Sequence, residues 1–180
     1  AWEEQGQIIS GQIFDASGGK QGDAFQVNSD GQNISHASIA ALTDGGFVIT
    51  WSSYTADSNW EIAARRYDLD GQASEIFGVN TNDYGAQVAP VVASLSDGGF
   101  VIAWQDNSID QSDYGIAARQ FDSTNLGGEV FRVNQQHQGY QGNVAIAGIS
   151  DGGFVVTWQS NGNVDKDSSG STIIGQRFDS

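Results

Sequence analysis

A segment built on Asp-Gly-Gly occurs three times along the chain, and this repetition constrains the fold more than any other feature. Each copy continues through Phe-Val and ends at a Trp, and the copies occupy residues 43–51, 96–104 and 150–158. Because a regular internal period is the mark of a repeat architecture, we predict one structural unit of about 50 residues that is used in series.

Three further segments recur in the same register, and all of them have the features of β-strands. One contains Phe-x-Val-Asn, one ends in Phe-Asp or Tyr-Asp, and one is an apolar run before each Asp-Gly-Gly. They are short, rich in Val, Ile and aromatic residues, and bounded by Gly, Asn, Asp and Ser. Asp-Gly-Gly between two apolar runs predicts a tight hairpin, because glycine accepts the positive φ of such turns. In the first full copy we predict strands A, B, C and D at 38–43, 46–53, 61–68 and 75–79.

Four antiparallel strands in a unit of this length are typical of one blade of a β-propeller. The sequence therefore predicts an all-β fold, a propeller-like repeat of four-stranded antiparallel blades, with an open array of stacked sheets as the alternative. We treat residues 1–180 as one β-repeat domain of about three and a half units. Its parts are a partial repeat at 1–32, repeats at 33–86 and 87–140, and a partial repeat at 141–180.

The two partial repeats leave edge strands without partners, and such edges invite pairing with another chain. A single chain can close a small ring by pairing its first strands with its last unit. Alternatively, two chains of this kind join to give about seven blades, a common propeller size. We expect closure by self-association, as a homodimer.

The charge of the chain excludes several classes of partner. It carries 22 acidic and 7 basic residues, a formal net charge of −15. Nucleic acid is a poor partner for such a surface, because phosphate binding needs basic residues. No apolar run approaches the ~20 residues of a membrane-spanning helix, so we expect no membrane insertion. The chain contains no Cys, which excludes disulfides and thiolate metal sites.

The B–C loops differ between repeats, and variable loops on a repeated scaffold often carry function. Trp60 and Tyr114 occupy the same place in two of these loops, just before strand C. An aromatic ring beside carboxylates and amides can stack on a sugar while the polar groups bond its hydroxyls. Gln105 and Gln159, which follow the Trp of strand B, are predicted to assist. The competing interpretation is that the aromatic residues only anchor their loops.

The same loops contain carboxylate patterns that suit calcium. In Asp165-x-Asp167-x-Ser169-Gly170, alternate oxygen ligands converge and the glycine permits a sharp turn. The bidentate Glu that usually follows is missing, so we expect modest affinity. The other two loops offer Asp110, Asp113, Asp57 and Asn59. Solvated polar loops without a metal are the alternative.

The two histidines form no pattern for catalysis. His36 and His137 occupy non-equivalent positions in their repeats, and HExxH does not occur. We therefore predict that the protein is not an enzyme. The aspartates that end strand C recur regularly, which favours a role in turns, and they are Asp15, Asp68, Asp122 and Asp179.

The full pattern is Asp-Gly-Gly-Phe-Val-(Ile/Val)-x-Trp, then (Gly/Ala)-(Gln/Arg)-x-Phe-Asp, then Phe-x-Val-Asn. It resembles repeats in very large secreted bacterial adhesins and in hemolysin-type, RTX-associated calcium-binding proteins. The resemblance covers nearly all of residues 1–180, and it implies an extracellular location and a surface or adhesive role. The glycine-rich nonapeptide that binds calcium in RTX regions is absent here, so that motif implies no calcium site.

Taken together, these features predict a non-enzymatic carbohydrate-binding, lectin-like or adhesive module of a secreted or cell-surface protein, with calcium as a candidate cofactor. Repeated shallow sites would raise avidity without tight single sites. Two alternatives stay open. One is a structural subunit of a surface layer or filament, and the other is a glycan-cleaving enzyme that uses paired carboxylates.

Overall fold

The computed structural model describes residues 1–4, 7–29, 31, 33–56, 59–110, 113–135, 138–162 and 170–179. These residues form fourteen β-strands and no helix, and therefore no helix that could cross a membrane. The strands are β1 (Trp2–Glu4), β2 (Ile8–Phe14), β3 (Lys20–Gln26), β4 (Asn33–Ala41), β5 (Phe47–Thr55), β6 (Asn59–Tyr67), β7 (Phe77–Gly78), β8 (Gln87–Ser94), β9 (Phe100–Asp106), β10 (Gly115–Phe121), β11 (Phe131–Arg132), β12 (Gln141–Gly148), β13 (Phe154–Ser160) and β14 (Thr172–Phe178).

The strands form four antiparallel sheets in chain order, which we call blades 1 to 4. Blade 1 is β1–β3, blade 2 is β4–β7, blade 3 is β8–β11 and blade 4 is β12–β14. The A strands of neighbouring blades contact each other, β4 with β8 and β8 with β12. The prediction of an all-β, propeller-like repeat of antiparallel blades is confirmed.

Both partial repeats form sheets of their own. Strands β1, β2 and β3 correspond to B, C and D, whereas β12, β13 and β14 correspond to A, B and C. Because both end sheets already contain strands B and C, two chains would supply eight sheets, rather than the seven blades expected from joined half-units.

The Asp-Gly-Gly turns show why this tripeptide recurs. In blade 2 the Asp44 carboxylate accepts a hydrogen bond from the Gly46 N–H at 3.0 Å, and Gly45 has a φ of 89°. A Cβ on Gly46 would overlap the carbonyl oxygen of Tyr67, the last residue of strand C. Glycine is therefore needed at both positions. The arrangement recurs in blades 3 and 4 through Asp97, Gly98, Gly99, Asp151, Gly152 and Gly153.

Each blade packs through two different faces, because alternate residues of a strand point to opposite sides of a sheet. In blade 3 one face carries Phe100, Ile102 and Trp104 and packs on blade 2. The other carries Val101 and Ile116 and packs on blade 4. We call these the Trp face and the Ile face, and use the names for equivalent residues of every blade. All five side chains are 0 % exposed, and burial of each of the four Val, Ile and Phe side chains stabilises the fold by about 1.5–3 kcal/mol.

An asparagine that follows strand D ties this strand to strand C. Asn134 Oδ1 accepts a hydrogen bond from the Ile116 N–H at 2.8 Å, and the Val133 N–H donates to the Ile116 carbonyl at 2.8 Å. Asn134 Nδ2 donates to the Asp110 carboxylate at 3.0 Å. The side chain thus continues the ladder beyond β11, which explains both Phe-x-Val-Asn and the shortness of β7 and β11. We call this contact the Asn clamp, and it recurs between Asn28 and Ile9 and between Asn80 and Ile62.

Three of the four aspartates that end strand C hold the following turn, as their regular position predicted, and they are Asp15, Asp68 and Asp122. The Asp122 carboxylate accepts hydrogen bonds from the Thr124 hydroxyl at 2.7 Å and from the N–H groups of Thr124 and Leu126 at 2.8 and 3.0 Å. These bonds, that of the Thr124 hydroxyl first, hold the pKa of Asp122 below its ordinary value of 3.8. Asp15 and Asp68 make equivalent bonds to the backbone.

We expect Asp122→Asn to remove a pH-dependent part of the stability. Because the folded-state pKa is lowered, the charged carboxylate stabilises the fold above about pH 4, and this contribution is lost as the pH falls toward the folded-state pKa. In urea titrations, the difference in unfolding free energy between wild type and variant should be largest near neutral pH and should shrink in acid. Asp23→Asn, on an exposed residue of β3, is the control. A difference that does not change with pH would contradict this role.

Candidate functional site

One end of the blades carries both sets of variable connections. In blade 3, Gln87 at the start of strand A and Gly115 at the start of strand C both pair with Asp106 at the end of strand B. The B–C loops and the D–A connectors therefore lie together, at an end that we call the loop face. The residues predicted to bind sugar belong to this end, and so do the predicted calcium ligands that the structure describes.

Strand A of blades 2, 3 and 4 is interrupted by a β-bulge at the same repeat position. The register of β4, β8 and β12 against strand B shifts once in each strand. The first of the two residues within each shift has a positive φ, and these are His36 at 57°, Ala89 at 53° and Asn143 at 52°. This left-handed conformation costs a residue such as alanine about 1–2 kcal/mol, so the blade geometry imposes it. Bulges and strained backbone of this kind concentrate at functional sites.

The three bulges converge on one cavity of about 360 Å³ between the A strands of blades 2, 3 and 4. It is lined by residues 36–38, 89–91 and 143–144 and by Gln105. Three blades thus contribute equivalent segments to one concave surface, which we call the central cavity. Its volume falls in the range of small-ligand pockets, about 300–1,000 Å³.

The residue after the Trp of strand B reaches from one blade to the bulge of the next. The Glu3 carboxylate of blade 1 accepts a hydrogen bond from the Ala37 N–H at 2.8 Å. The Ser52 hydroxyl of blade 2 accepts one from the Ala89 N–H at 3.0 Å. These side chains satisfy backbone donors at the bulges, and they fix the bulged backbone in place.

In blades 3 and 4 this position is a glutamine. Gln105 Oε1 accepts a hydrogen bond from the Tyr140 hydroxyl at 2.6 Å, and Gln159 Oε1 accepts one from Asn143 Nδ2 at 2.7 Å. Within the described part of the chain, Gln105 Nε2 and Asn143 Oδ1 have no hydrogen-bond partner. The central cavity therefore offers an amide donor, an amide acceptor and the exposed imidazole of His36.

Tyr114 is connected to the central cavity through Tyr140. The two rings meet edge to face with centroids 6.1 Å apart, and the Tyr140 hydroxyl bonds Gln105. Burial, and then the Asp113 carboxylate, raise the pKa of Tyr114 above its ordinary value. Three of the four predicted sugar-binding residues, Tyr114, Gln105 and Gln159, are thus brought to one place.

Trp60 lies apart from this group. It pairs with Tyr54 across β5 and β6, with ring centroids 5.6 Å apart. It is not among the described residues that line the central cavity. In the preceding repeat, Ala86 stands at the position of Tyr140. Alanine has no ring that could connect Trp60 with the central cavity.

The sequence did not identify His36, Asn143 or Tyr140 as candidates for sugar binding. One signal was available, because His36, Ala89 and Asn143 share a repeat position. Their side chains have no chemistry in common, however, so an alignment of the repeats marks no site there. The bulge, which is a property of the backbone, is what makes the position special.

The structure places three of the predicted calcium ligands and leaves the others outside the described residues. Asp110 is buried and accepts from Asn134 Nδ2, while Asp113 is exposed and accepts from the Tyr114 N–H at 2.9 Å. Asn59 Nδ2 donates to the Gly85 carbonyl at 3.2 Å. No three His, Asp or Glu side chains of the described ranges form a group that could hold a metal. The predicted ligands outside those ranges are Asp57, Asp165, Asp167 and Ser169.

Comparison with solved structures yields a match in fold. The chain is similar to the endo-arabinase from Bacteroides thetaiotaomicron VPI-5482, with a TM-score of 0.55 and 13 % sequence identity, over 98 % of this chain and 72 % of that chain. At this identity the likeness shows the propeller-like fold alone. No family model matches the chain, and no curated protein matches it.

Proposed function

We propose that this protein is a non-enzymatic carbohydrate-binding module, lectin-like or adhesive, of a secreted or cell-surface protein, and that it binds a sugar in the central cavity. The observation that carries the proposal is the convergence of three left-handed bulges and the Gln105 amide on one concave surface. The endo-arabinase likeness supports a carbohydrate-related fold.

The chemistry of the central cavity suits sugar hydroxyls, each of which can donate and accept a hydrogen bond. Gln105 Nε2 supplies a donor and Asn143 Oδ1 an acceptor, and both amides are oriented by a second hydrogen bond, to Tyr140 and Gln159. Such oriented polar groups in a concave site provide specificity. Calcium in the neighbouring loops remains a further prediction.

A glycan array, run with calcium and with a chelator, tests the proposal. Arabinose-containing polysaccharides belong on it because the similar structure is named as an endo-arabinase. We expect binding to at least one glycan class without release of reducing sugar. Glycan binding that persists in the chelator would exclude calcium as a cofactor, and the proposed carbohydrate binding would still stand. No binding under either condition, or release of reducing sugar, would overturn the proposal.

Substitution of the amides localises the site. We expect Gln105→Ala and Asn143→Ala each to weaken the binding found on the array by about tenfold or more, because each leaves a bound hydroxyl unpaired. Titration calorimetry measures the change. Gln72→Ala, on an exposed residue of the C–D turn in blade 2, is the matched control and should bind like wild type. Unchanged binding by both cavity variants would move the site away from the central cavity.

A structural subunit of a surface layer or filament is the second candidate. It is favoured by one observation, the exposure of large apolar side chains on the two end blades, among them Trp2, Phe14 and Ile173. None of these three side chains is among the described residues that line the central cavity, so both functions can be tested on the same protein.

A further inference from the structure

We propose that the Trp face of blade 1 and the Ile face of blade 4 bind each other between two copies of this chain, head to tail. Within the chain, the Trp faces of blades 2, 3 and 4 each pack on the Ile face of the preceding blade. Among the described residues, this internal packing covers neither of the two faces named. The inference does not depend on sugar binding.

The Trp face of blade 1 keeps the pattern of a buried face but is exposed. Trp2 pairs with Ser10 in the register in which Trp104 pairs with Ala117 in blade 3. Trp2 is 45 % exposed, whereas Trp104 is 0 % exposed. Phe14 is 55 % exposed, and the equivalent residue of blade 3 is 4 % exposed. Trp2 and Phe14 are therefore residues of the kind that other blades bury in blade-to-blade interfaces, but in blade 1 they are exposed.

The Ile face of blade 4 also carries residues that are exposed although the equivalent residues of other blades are buried. Ile173 is 73 % exposed, whereas its equivalents Ile9, Ile62 and Ile116 are 0 %, 1 % and 0 % exposed. Gly175 is also exposed, at a position where blades 2 and 3 have buried alanine. The sequence of blade 4 is therefore that of a face covered by another blade.

An arginine on the Ile face shows how this contact is made inside the chain. In blade 2, Arg66 bonds Asp44 at 2.5 Å and reaches across to the C–D turn of blade 3. There it donates to the Ser123 carbonyl and, at 3.1 Å, to Asn125 Oδ1. The Arg66 side chain is 12 % exposed as a result.

Blade 4 carries the same arginine, whose ion-pair partners among the described residues are Asp151 and Asp179. Arg177 bonds Asp151 at 2.5 Å, as Arg66 bonds Asp44, yet its side chain is 58 % exposed. The corresponding turn of blade 1 has the same backbone hydrogen bonds as the turn of blade 3, and Ala16 follows Asp15 there as Ser123 follows Asp122. Gly18 of that turn has a φ of 84°, so its backbone follows the left-handed course of the blade 3 turn. Arg177 of one copy therefore pairs with the Ala16 carbonyl of the second.

The chain is thus its own matching partner, because the surface that covers an Ile face elsewhere in the molecule is present on blade 1. Such a contact joins two different surfaces and gives either a closed ring or an open chain of copies. Each copy carries a formal charge of −15, so added salt should strengthen the association by screening the repulsion between copies.

Sedimentation velocity over a range of protein concentrations tests the proposal. We expect wild type to associate, and Trp2→Asp and Ile173→Asp each to weaken association by about tenfold or more, because each buries a charge without a partner. Arg177→Ala should weaken it less. An equimolar mixture of Trp2→Asp and Ile173→Asp should recover a pair, because each variant keeps the face that the other has lost.

Controls separate this contact from unfolding and from nonspecific adhesion. Leu126 is 72 % exposed and matches Ile173, which is 73 % exposed, but Leu126 lies in a turn. The Leu126→Asp variant should therefore associate like wild type. Circular dichroism and thermal melting confirm that each variant is folded. A wild type that stays monomeric at the highest concentration, or folded variants whose mixture fails to pair, would overturn the proposal.

Discussion

Replacing Trp104 with alanine is expected to lower the free energy of unfolding by about 3–5 kcal/mol, the range for deletion of a large buried aromatic side chain. Trp104 is 0 % exposed and packs between blades 2 and 3. Its Nε1 also donates to the buried Asp106 carboxylate at 3.3 Å. The substitution therefore leaves a cavity at a blade interface and removes one hydrogen bond. Urea or guanidinium titration followed by Tyr and Trp fluorescence measures the loss.

The matched control for this loss is Trp2→Ala at the same repeat position in blade 1. Trp2 is 45 % exposed, so in dilute, monomeric protein its removal should cost less than half as much as that of Trp104. The comparison tests whether the Trp stabilises the fold because it is buried between blades, or whether it contributes equally at an exposed position. Equal losses at both positions would contradict that account.

The features that the sequence predicted correctly depend on local chemistry. Asp44, Gly45 and Gly46 determine their hairpin with their own side chain and backbone, and Asp122 bonds N–H groups two and four residues ahead. Such contacts leave a readable pattern because they need particular residues at fixed spacing. A repeat adds to the signal, since each pattern is seen several times.

The features that could not be predicted depend on contacts between blades. Strand A was expected at 38–43, but β4 runs from Asn33 to Ala41, because the bulge at His36 hides the alternation of its first half. In blade 3 the bulge is held by Ser52, which lies 37 residues away from Ala89 in the sequence. The side chain that bonds a bulge comes from a neighbouring sheet, so the sequence alone does not identify it before the packing of the sheets is known. The central cavity was missed for this reason.

Replacing Asn134 with alanine is expected to lower the free energy of unfolding by about 2–4 kcal/mol, because it opens the Asn clamp of blade 3 at a buried site. Asn134 is 1 % exposed and supplies an acceptor to the Ile116 N–H and a donor to Asp110. Truncation leaves a buried N–H group without its acceptor and weakens the support of a buried carboxylate. Denaturant titration measures the loss, with exposed Gln135→Ala as the neighbouring control, expected within about 0.5 kcal/mol of wild type.

Asn134→Asp separates the two halves of the Asn clamp. The substituted side chain keeps an oxygen for the Ile116 N–H, but it sets a second carboxylate against Asp110, where the amide had donated at 3.0 Å. Two like charges at that distance repel, so one carboxyl must bind a proton or the loop must move. We therefore expect Asn134→Asp to be destabilised at neutral pH and to recover part of the loss in mild acid, whereas Asn134→Ala should show no such recovery. If the two variants lose the same stability at every pH, the contact with Asp110 contributes nothing and the Asn clamp acts through Ile116 alone.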